Sequence, residues 1–283
     1  MVKGISANEE MRKSVGTFEV NHLYCMKKKL IIKIGTSTLT AGTNRISFAV
    51  IESLARQIVE LKETYDVVIV SSGAIATARQ FVEINGYQRN VDSKQAMAAI
   101  GQTRLMELYD TIFSTFGLNI AQILLTYRDF ENPVANENTR NTIRRLWQAG
   151  YIPIVNENDT VSIEEIVLGD NDKLSALVAV ITEADLLILV SDIDGIFDKN
   201  PHLHADARLI TEVSDLNAIK GCVEEKVSAL GTGGMSSKVH AAEICMRKGV
   251  EMWIVNGQRA NHIIRAMNEE IPYTRFSTLP RQS

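Results

Sequence analysis

Apolar positions along this chain recur in two alternating rhythms. The first is a set of short runs: Leu30-Ile31-Ile32-Lys33-Ile34, Val67-Val68-Ile69-Val70, the stretch from Asn119 to Thr126, Tyr151-Ile152-Pro153-Ile154-Val155, the stretch from Ala184 to Val190, and Glu251-Met252-Trp253-Ile254-Val255. Each run is rich in branched apolar residues and is bounded by polar or glycine-bearing knots, which predicts buried strands. Between them the period changes to that of a helix. Phe48, Ile51, Leu54, Ala55, Ile58 and Leu61 predict an amphipathic helix over 47–63. Met97, Ile100, Leu105, Leu108, Tyr109 and Ile112 predict a long one over 95–116. Further helices are predicted over 138–148, around Leu174 to Ile181, after Lys238 and over 263–267, the last reached through Asn256-Gly257. Strands alternating with helices predict an α/β fold: a parallel, doubly wound sheet with helices on both faces.

Polar knots follow several of these strands. Gly35-Thr36-Ser37 follows the first, Ser71-Ser72-Gly73 the second, and Ser191-Asp192-Ile193-Asp194-Gly195 the fifth. In doubly wound sheets ligands bind at the carboxyl ends of the strands. Lys33 interrupts the first apolar run, and two readings stand side by side. It is an edge-strand lysine reaching solvent, or a phosphate ligand beside a small-residue turn whose backbone N–H groups can approach an anion. The densest knot lies between Glu157 and Asp172, where Glu157, Asp159, Glu164, Glu165, Asp170 and Asp172 occur with no lysine or arginine between Arg145 and Lys173. Unpaired carboxylates are costly to bury, so the cluster calls for distant lysines or Mg²⁺. Gly231-Thr232-Gly233-Gly234 opens a helix carrying Lys238. It reads as an anion cradle or as an ordinary surface loop.

Length and composition narrow the field. The chain has 283 residues with 45% hydrophobic content and a formal net charge of −4. It has core enough for one large domain over 28–283, and its charge argues against nucleic acid or a membrane as partner. No apolar run approaches the about 20 residues of a membrane span. Residues 1–27 have no strong period and read as a frayed extension or a leader, with Met26 a natural start. Cys25, Cys222 and Cys245 show no paired or metal-ligand spacing, which fits a reducing cytoplasm. His202 and His204 could ligate a metal, although no other ligand type is spaced with them and a solvated loop is the simpler reading. Neither the P-loop nor the dinucleotide fingerprint is present. Two lysine-bearing anion sites and an acidic cluster suit phosphoryl transfer, which needs in-line positioning and charge neutralisation more than covalent chemistry.

The motifs KIGTSTLT at 33–40, SSGAIA at 71–76, VNENDTV at 155–161, GDNDKLSA at 169–176, SDIDGIF at 191–197 and GTGGMSSK at 231–238, with KQAMAAIGQTRLMELY at 94–109, resemble those of the amino acid kinase family. Within it they are most similar to the branch that phosphorylates L-glutamate on its γ-carboxylate in proline synthesis. The resemblance runs from about Lys29 to about Leu279. It implies a three-layer αβα sandwich with a mostly parallel open sheet. ATP with Mg²⁺ would lie over one half of the carboxyl edge and glutamate over the other. It implies catalytic roles for Lys33, Lys238 and Asp172, the last aligning both lysines. It implies substrate contacts at Ser72, Asp159 and Asn171, with Asn156 and Asp170 in the same shell. Nucleotide contacts fall at Lys33, Ser191, Asp192, Thr232, Gly233, Gly234, Met235, Ser236, Ser237 and Lys238, and no metal ligand is assigned directly. Many members have Thr-Asp where this chain has Ser191-Asp192, and many continue into an RNA-binding-like PUA domain that this chain is expected to lack. Inhibition by proline and a homo-oligomer, dimer or tetramer, are further traits the resemblance suggests. A sibling kinase acting on acetylglutamate, aspartate, carbamate or a nucleoside monophosphate, and a non-catalytic amino-acid sensor, are the rival readings.

Overall fold

The computed structural model describes residues 27–82, 90–162, 171–199, 201, 203–219 and 234–277. The expected leader therefore lies outside the described residues, apart from Lys27. The chain opens with β1 (Lys28–Ile34), a short α1 (Thr36–Leu39), α2 (Phe48–Leu61) and β2 (Tyr65–Ser71). Next come α3 (Ala74–Ala78), α4 (Val91–Ser114), β3 (Asn119–Leu125), α5 (Tyr127–Glu131), α6 (Pro133–Gln148) and β4 (Tyr151–Glu157). The second half contains α7 (Asp172–Thr182), β5 (Leu186–Ser191), β6 (Ile196–Phe197), β7 (Leu209–Ile210) and β8 (Glu212–Val213). It ends with α8 (Gly234–Lys248), β9 (Glu251–Asn256), α9 (His262–Met267) and β10 (Thr274–Phe276).

Eight strands form one sheet in the order β3-β4-β2-β1-β5-β9-β10-β8, and β6 pairs with β7 in a separate ribbon. The six strands legible in the sequence run parallel, whereas β10 runs antiparallel to β9. β8 and β10 are too short to carry a period, so this edge of the sheet could not be read from the pattern.

Side-chain alternation splits the core into two layers. On β1, Leu30, Ile32 and Ile34 join the cluster formed with Leu54 and Ile58 of α2 and Tyr109 and Phe113 of α4. Ile31 faces the other way and joins Leu174 and Val178 of α7 and Ala241 and Cys245 of α8. Both faces of the parallel strands are thus covered, which is why those strands read as continuous apolar runs. Each fully buried aliphatic chain contributes about 1.5–3 kcal/mol. Trp147 takes part with its indole satisfied, donating from Nε1 to the carbonyl of Val67 at 2.9 Å.

One glycine sets the position of α4. A Cβ at Gly101 would lie 1.7 Å from the carbonyl oxygen of Ala74, so only glycine lets α4 pack this closely on α3. That approach brings the next residue, Gln102, to the carboxyl edge of the sheet.

Candidate active site

β1 pairs with β2 on one side and β5 on the other, so the winding direction reverses between β1 and β5. That reversal opens a crevice at the carboxyl ends of the strands. Lys33 is the penultimate residue of β1 and shares the face of Ile31, two residues earlier. Its side chain therefore lies on the α7 side, with only 6% of it exposed. β1 is an inner strand, so the edge-strand reading of Lys33 fails. The ammonium lies 2.6 Å from Oδ1 of Asp172, the first residue of α7. Lys238, in the second turn of α8, lies 3.0 Å from Asp172 Oδ2, and Ser237 donates its hydroxyl to the same oxygen at 3.0 Å. Asp172 has no exposed side-chain surface.

A lone buried carboxylate would be costly; here two ammonium groups and a helix amino terminus face it. Two ammonium groups held side by side at a carboxyl edge are chemistry that suits an anion. Glycine at position 35 keeps side-chain atoms off this approach, since an added Cβ there would stand 3.4 Å from Lys33 Nζ.

The neighbouring half of the crevice is built from amides and carboxylates. Ser72 follows β2, and its N–H donates to the carbonyl of Ile34 at 3.1 Å. Gly73 then takes φ +102°, a conformation open to glycine, and starts α3. Asn156, at the end of β4, accepts at Oδ1 from Asn171 Nδ2 at 2.8 Å and from the Glu157 N–H at 2.9 Å. Its own Nδ2 donates to Gln102 Oε1 at 2.8 Å. Asn171 Nδ2 also donates to the carbonyl of Ser71 at 3.1 Å. These bonds order Gln102, Asn156 and Asn171 into one row across α4, β4 and the start of α7.

Four buried polar atoms in this half have no partner among the described residues: Ser72 Oγ, Asp159 Oδ1, Asn171 Oδ1 and Gln102 Nε2. Native interiors rarely leave such atoms unpaired, and their gathering at one place marks a ligand site. The set is rich in acceptors, with one amide donor. Burial, and secondarily the neighbouring Glu157 charge, push the Asp159 carboxyl up to about 7. Glu157 itself is buried and accepts a hydrogen bond from Ser162. Two carboxylates this close suit an ammonium group between or beside them.

On the other side of Lys33 lies the end of β5. Ser191 is buried, Asp192 is exposed, and the Ser191 hydroxyl donates to Asp192 Oδ1 at 3.2 Å. At the start of α8, Gly234 and Ser236 are exposed, while Met235 and Ser237 are half-buried. Asp170, Thr232 and Gly233 lie outside the described residues. Every other site residue expected from the sequence falls on this one edge. Asn156 makes three hydrogen bonds within the protein and so orients the shell. Gln102 was missed: an amide inside a helical motif carries no chemical signature, although the motif containing it was noticed. His204 is exposed in a loop and His202 lies outside the described residues, and among the described residues no group of three or more His, Cys, Asp or Glu could hold a metal. A divalent cation would come to the described side chains with a polyphosphate rather than into a ready-made cage.

A carboxylate holding two lysines at the switch point of an αβα sandwich, beside an ammonium-ready pocket, defines a phosphoryl-transfer class of site. The model of the amino acid kinase family matches residues 28–256, and the chain belongs to that family. Among curated relatives, glutamate 5-kinase 2 of Pseudoalteromonas translucida is 42% identical over 252 residues, covering 88% of this chain and 68% of that protein. The glutamate 5-kinase of Clostridium acetobutylicum is 42% identical over 250 residues, covering 88% of this chain and 94% of that one. The crystal structure of UMP kinase from Ureaplasma parvum superposes with a TM-score of 0.61 at 16% identity, covering 89% of this chain and 99% of that one. That likeness establishes the fold: the expected αβα sandwich of the amino acid kinases.

Proposed function

We propose that this chain transfers the γ-phosphoryl group of ATP to the γ-carboxylate of L-glutamate, making γ-glutamyl phosphate, the reaction for which its curated relatives are named. The observation that carries the reading is the adjacency of two unlike halves on one sheet edge. Asp172 is locked between Lys33 and Lys238. Next to it stand the unpartnered Ser72, Asp159, Asn171 and Gln102 atoms.

Asp159 takes the substrate's α-ammonium, an anion for a cation. Asn171 Oδ1, an acceptor, shares that ammonium, while the Ser72 hydroxyl and Gln102 Nε2 donate to the α-carboxylate, so that the γ-carboxylate points toward Lys33. A carboxylate is ionised at neutral pH, so it attacks the γ-phosphorus in line without a general base. Charge on the transferring group spreads over its equatorial oxygens, and Lys33 and Lys238 neutralise it. Asp172 keeps the two ammonium groups apart and aimed before ATP arrives, so little reorganisation is needed at the moment of transfer. Mg²⁺, arriving with ATP, would neutralise charge on the phosphates beside Lys33 and Lys238. Ser191 and Asp192 hold the nucleotide, with Ser237 and Lys238 beside its phosphates.

The test is a trapping assay. Protein, L-glutamate, MgATP and hydroxylamine are mixed, and γ-glutamyl hydroxamate is measured beside ADP. Hydroxamate with glutamate, and none with acetylglutamate or aspartate, is the expected result. ADP without hydroxamate would move the chain to a sibling kinase. Binding of glutamate with neither product would make it a sensor. Three traits of the reading go with it: inhibition by proline, a homo-oligomeric state and residence in the cytoplasm. A rate indifferent to saturating proline, a monomer by light scattering, or fractionation away from the cytosol would remove each in turn. No described helix is long and apolar enough to cross a membrane.

A further inference from the structure

The loop after β9 carries a device that the reaction above does not use. Asn256 pairs with Ser191 at the last register position of β9 and β5. The Gly257 N–H then donates to the carbonyl of Ser191 at 2.8 Å. Gly257 is pressed between two turns: a Cβ there would lie 2.5 Å from Val190 Cγ1 and 2.7 Å from Thr38 Cγ2. Thr38 belongs to the turn that follows Lys33, and its hydroxyl lies 3.5 Å from the carbonyl of Val190. The loop therefore touches both the Lys33 turn and the Ser191 turn.

Two residues on, Arg259 grips Asp194 in a fork. Nε donates to Oδ1 at 2.7 Å and Nη2 to Oδ2 at 2.9 Å. Asn256 Nδ2 adds a third bond to Asp194 Oδ1 at 3.0 Å, and Asn256 Oδ1 accepts from the Gln258 N–H at 2.9 Å. Arg259, foremost, holds the Asp194 carboxyl below the usual carboxylate range. Beyond Asp194, the Ile196 N–H donates to Thr274 Oγ1 at 2.8 Å. Asp192 thus lies between two anchors, Ser191 and Asp194, both supplied by the 256–259 loop.

We propose that Arg259, acting through Asp194, is a positioning residue for nucleotide: it fixes the 191–195 turn against the Lys33 turn in the geometry that receives ATP. The inference rests on the reading of Ser191 and Asp192 as nucleotide contacts. Global stability is not its purpose. The Arg259 side chain is 37% exposed, and ion pairs exposed to this degree add little to stability. Two bonds from one planar group fix direction as well as distance, which suits positioning.

The experiment measures the Kd of a non-hydrolysable ATP analogue by calorimetry, and KM for ATP and glutamate, in the full chain. Variants are Arg259→Ala, Arg259→Lys, Asp194→Asn, their Ala/Asn double, and Ser191→Ala. Misplacing the turn should raise Kd and KM for ATP about tenfold in each single Ala or Asn variant. The double variant should be no worse than either single, since both break one contact. KM for glutamate should stay within about twofold and Tm should hold, and Arg259→Lys should restore part of the ATP affinity, as its charge remains without the fork. ATP affinity unchanged in both singles overturns the proposal. So does a joint rise of both KM values with a lower Tm, which marks a purely structural role. Should Arg259→Ala fail to fold, the near-isosteric Asp194→Asn decides alone. If Ser191→Ala also leaves ATP binding untouched, the nucleotide reading itself falls; if Ser191→Ala weakens it and the Asp194 and Arg259 variants do not, only this inference falls.

Discussion

The two halves of the carboxyl edge solve opposite problems with the same kinds of atoms. Around Asp172 the carboxylate is held inside the protein by two ammonium groups, at 2.6 and 3.0 Å, with no exposed surface of its own. Around Asp159 the buried polar atoms are left open among the described residues, and burial, with the Glu157 charge behind it, pushes the carboxyl up to about 7. The first half is finished before any ligand arrives. The second half carries a cost that a ligand must relieve. Catalytic groups gain from being fixed beforehand, because reorganisation then adds nothing to the barrier. A recognition site gains from unmet hydrogen bonds, because a substrate lacking the right groups leaves them unmet. Changes in the first half should therefore act on kcat and changes in the second on KM.

The largest effect that could break this division is at the finished half. Lys33→Ala or Lys238→Ala should lower kcat by on the order of 10²–10³, the loss expected for one donor to a transition-state charge. KM for glutamate should move far less. Asp172→Ala should be at least as damaging, since it sets two buried ammonium groups free to repel each other. Initial-rate kinetics with both substrates decide it. A Lys238→Ala enzyme with the parent kcat would dissolve the catalytic half.

The open half is tested next at Asp159. Truncating one partner of a buried charge pair costs about 2–5 kcal/mol, so Asp159→Ala should raise KM for glutamate by on the order of 10², with kcat at saturation close to the parent. The raised carboxyl also gives a pH signature. Glutamate's ammonium requires the ionised form, so KM for glutamate should fall as pH rises toward about 7 and level off above it. In Asp159→Asn that dependence should vanish. Stability should show the converse. The folded carboxyl titrates near 7 against an ordinary value of 3.8, so its stabilising share is full below about 4 and is lost as pH rises to 7. The Tm advantage of Asp159→Asn over the parent should therefore widen from pH 4 to 7 and then stay constant. A flat difference across that range would mean Asp159 titrates normally, and the open half would lose its defining strain.

How much of this was legible follows from the same contrast. Lys33 stood out in the sequence because a charge inside an apolar run is an anomaly, although the run could not say whether the strand was inner or outer. Only pairing with both β2 and β5 decides that. Lys238 stood out through the glycines before it. By residue pattern alone Asp172 was one carboxylate among several; the family resemblance singled it out, and the fold brings two lysines to it. Gln102 and Gly101 were silent as chemistry, because an amide and a glycine inside a helical period look like spacing. Their meaning lies in the approach of α4 to α3, a tertiary fact. The Asp194–Arg259 fork spans 65 positions of sequence and no local pattern announces it. Parallel strands with helical crossovers could be read because burial on both faces writes a continuous apolar run; β8 and β10 are too short to write anything.

The smallest expected effect is at Gln102, and it sharpens the division most finely. Its amide has two ends with different duties. Oε1 accepts from Asn156 and keeps that residue turned toward Asn171, while Nε2 is buried and unpartnered. If the free end meets substrate, Gln102→Ala should raise KM for glutamate about tenfold, the worth of a hydrogen bond to a charged group. Gln102→Glu separates the two duties. A carboxylate in that place still accepts from Asn156 but offers no donor, and it adds a negative charge beside an incoming carboxylate. It should therefore raise KM for glutamate at least as much as alanine does, while Tm stays nearer the parent than in Gln102→Ala, where Asn156 loses its partner. Equal Tm losses with unchanged KM in both variants would make Gln102 a packing residue and leave the substrate shell to Ser72, Asp159 and Asn171.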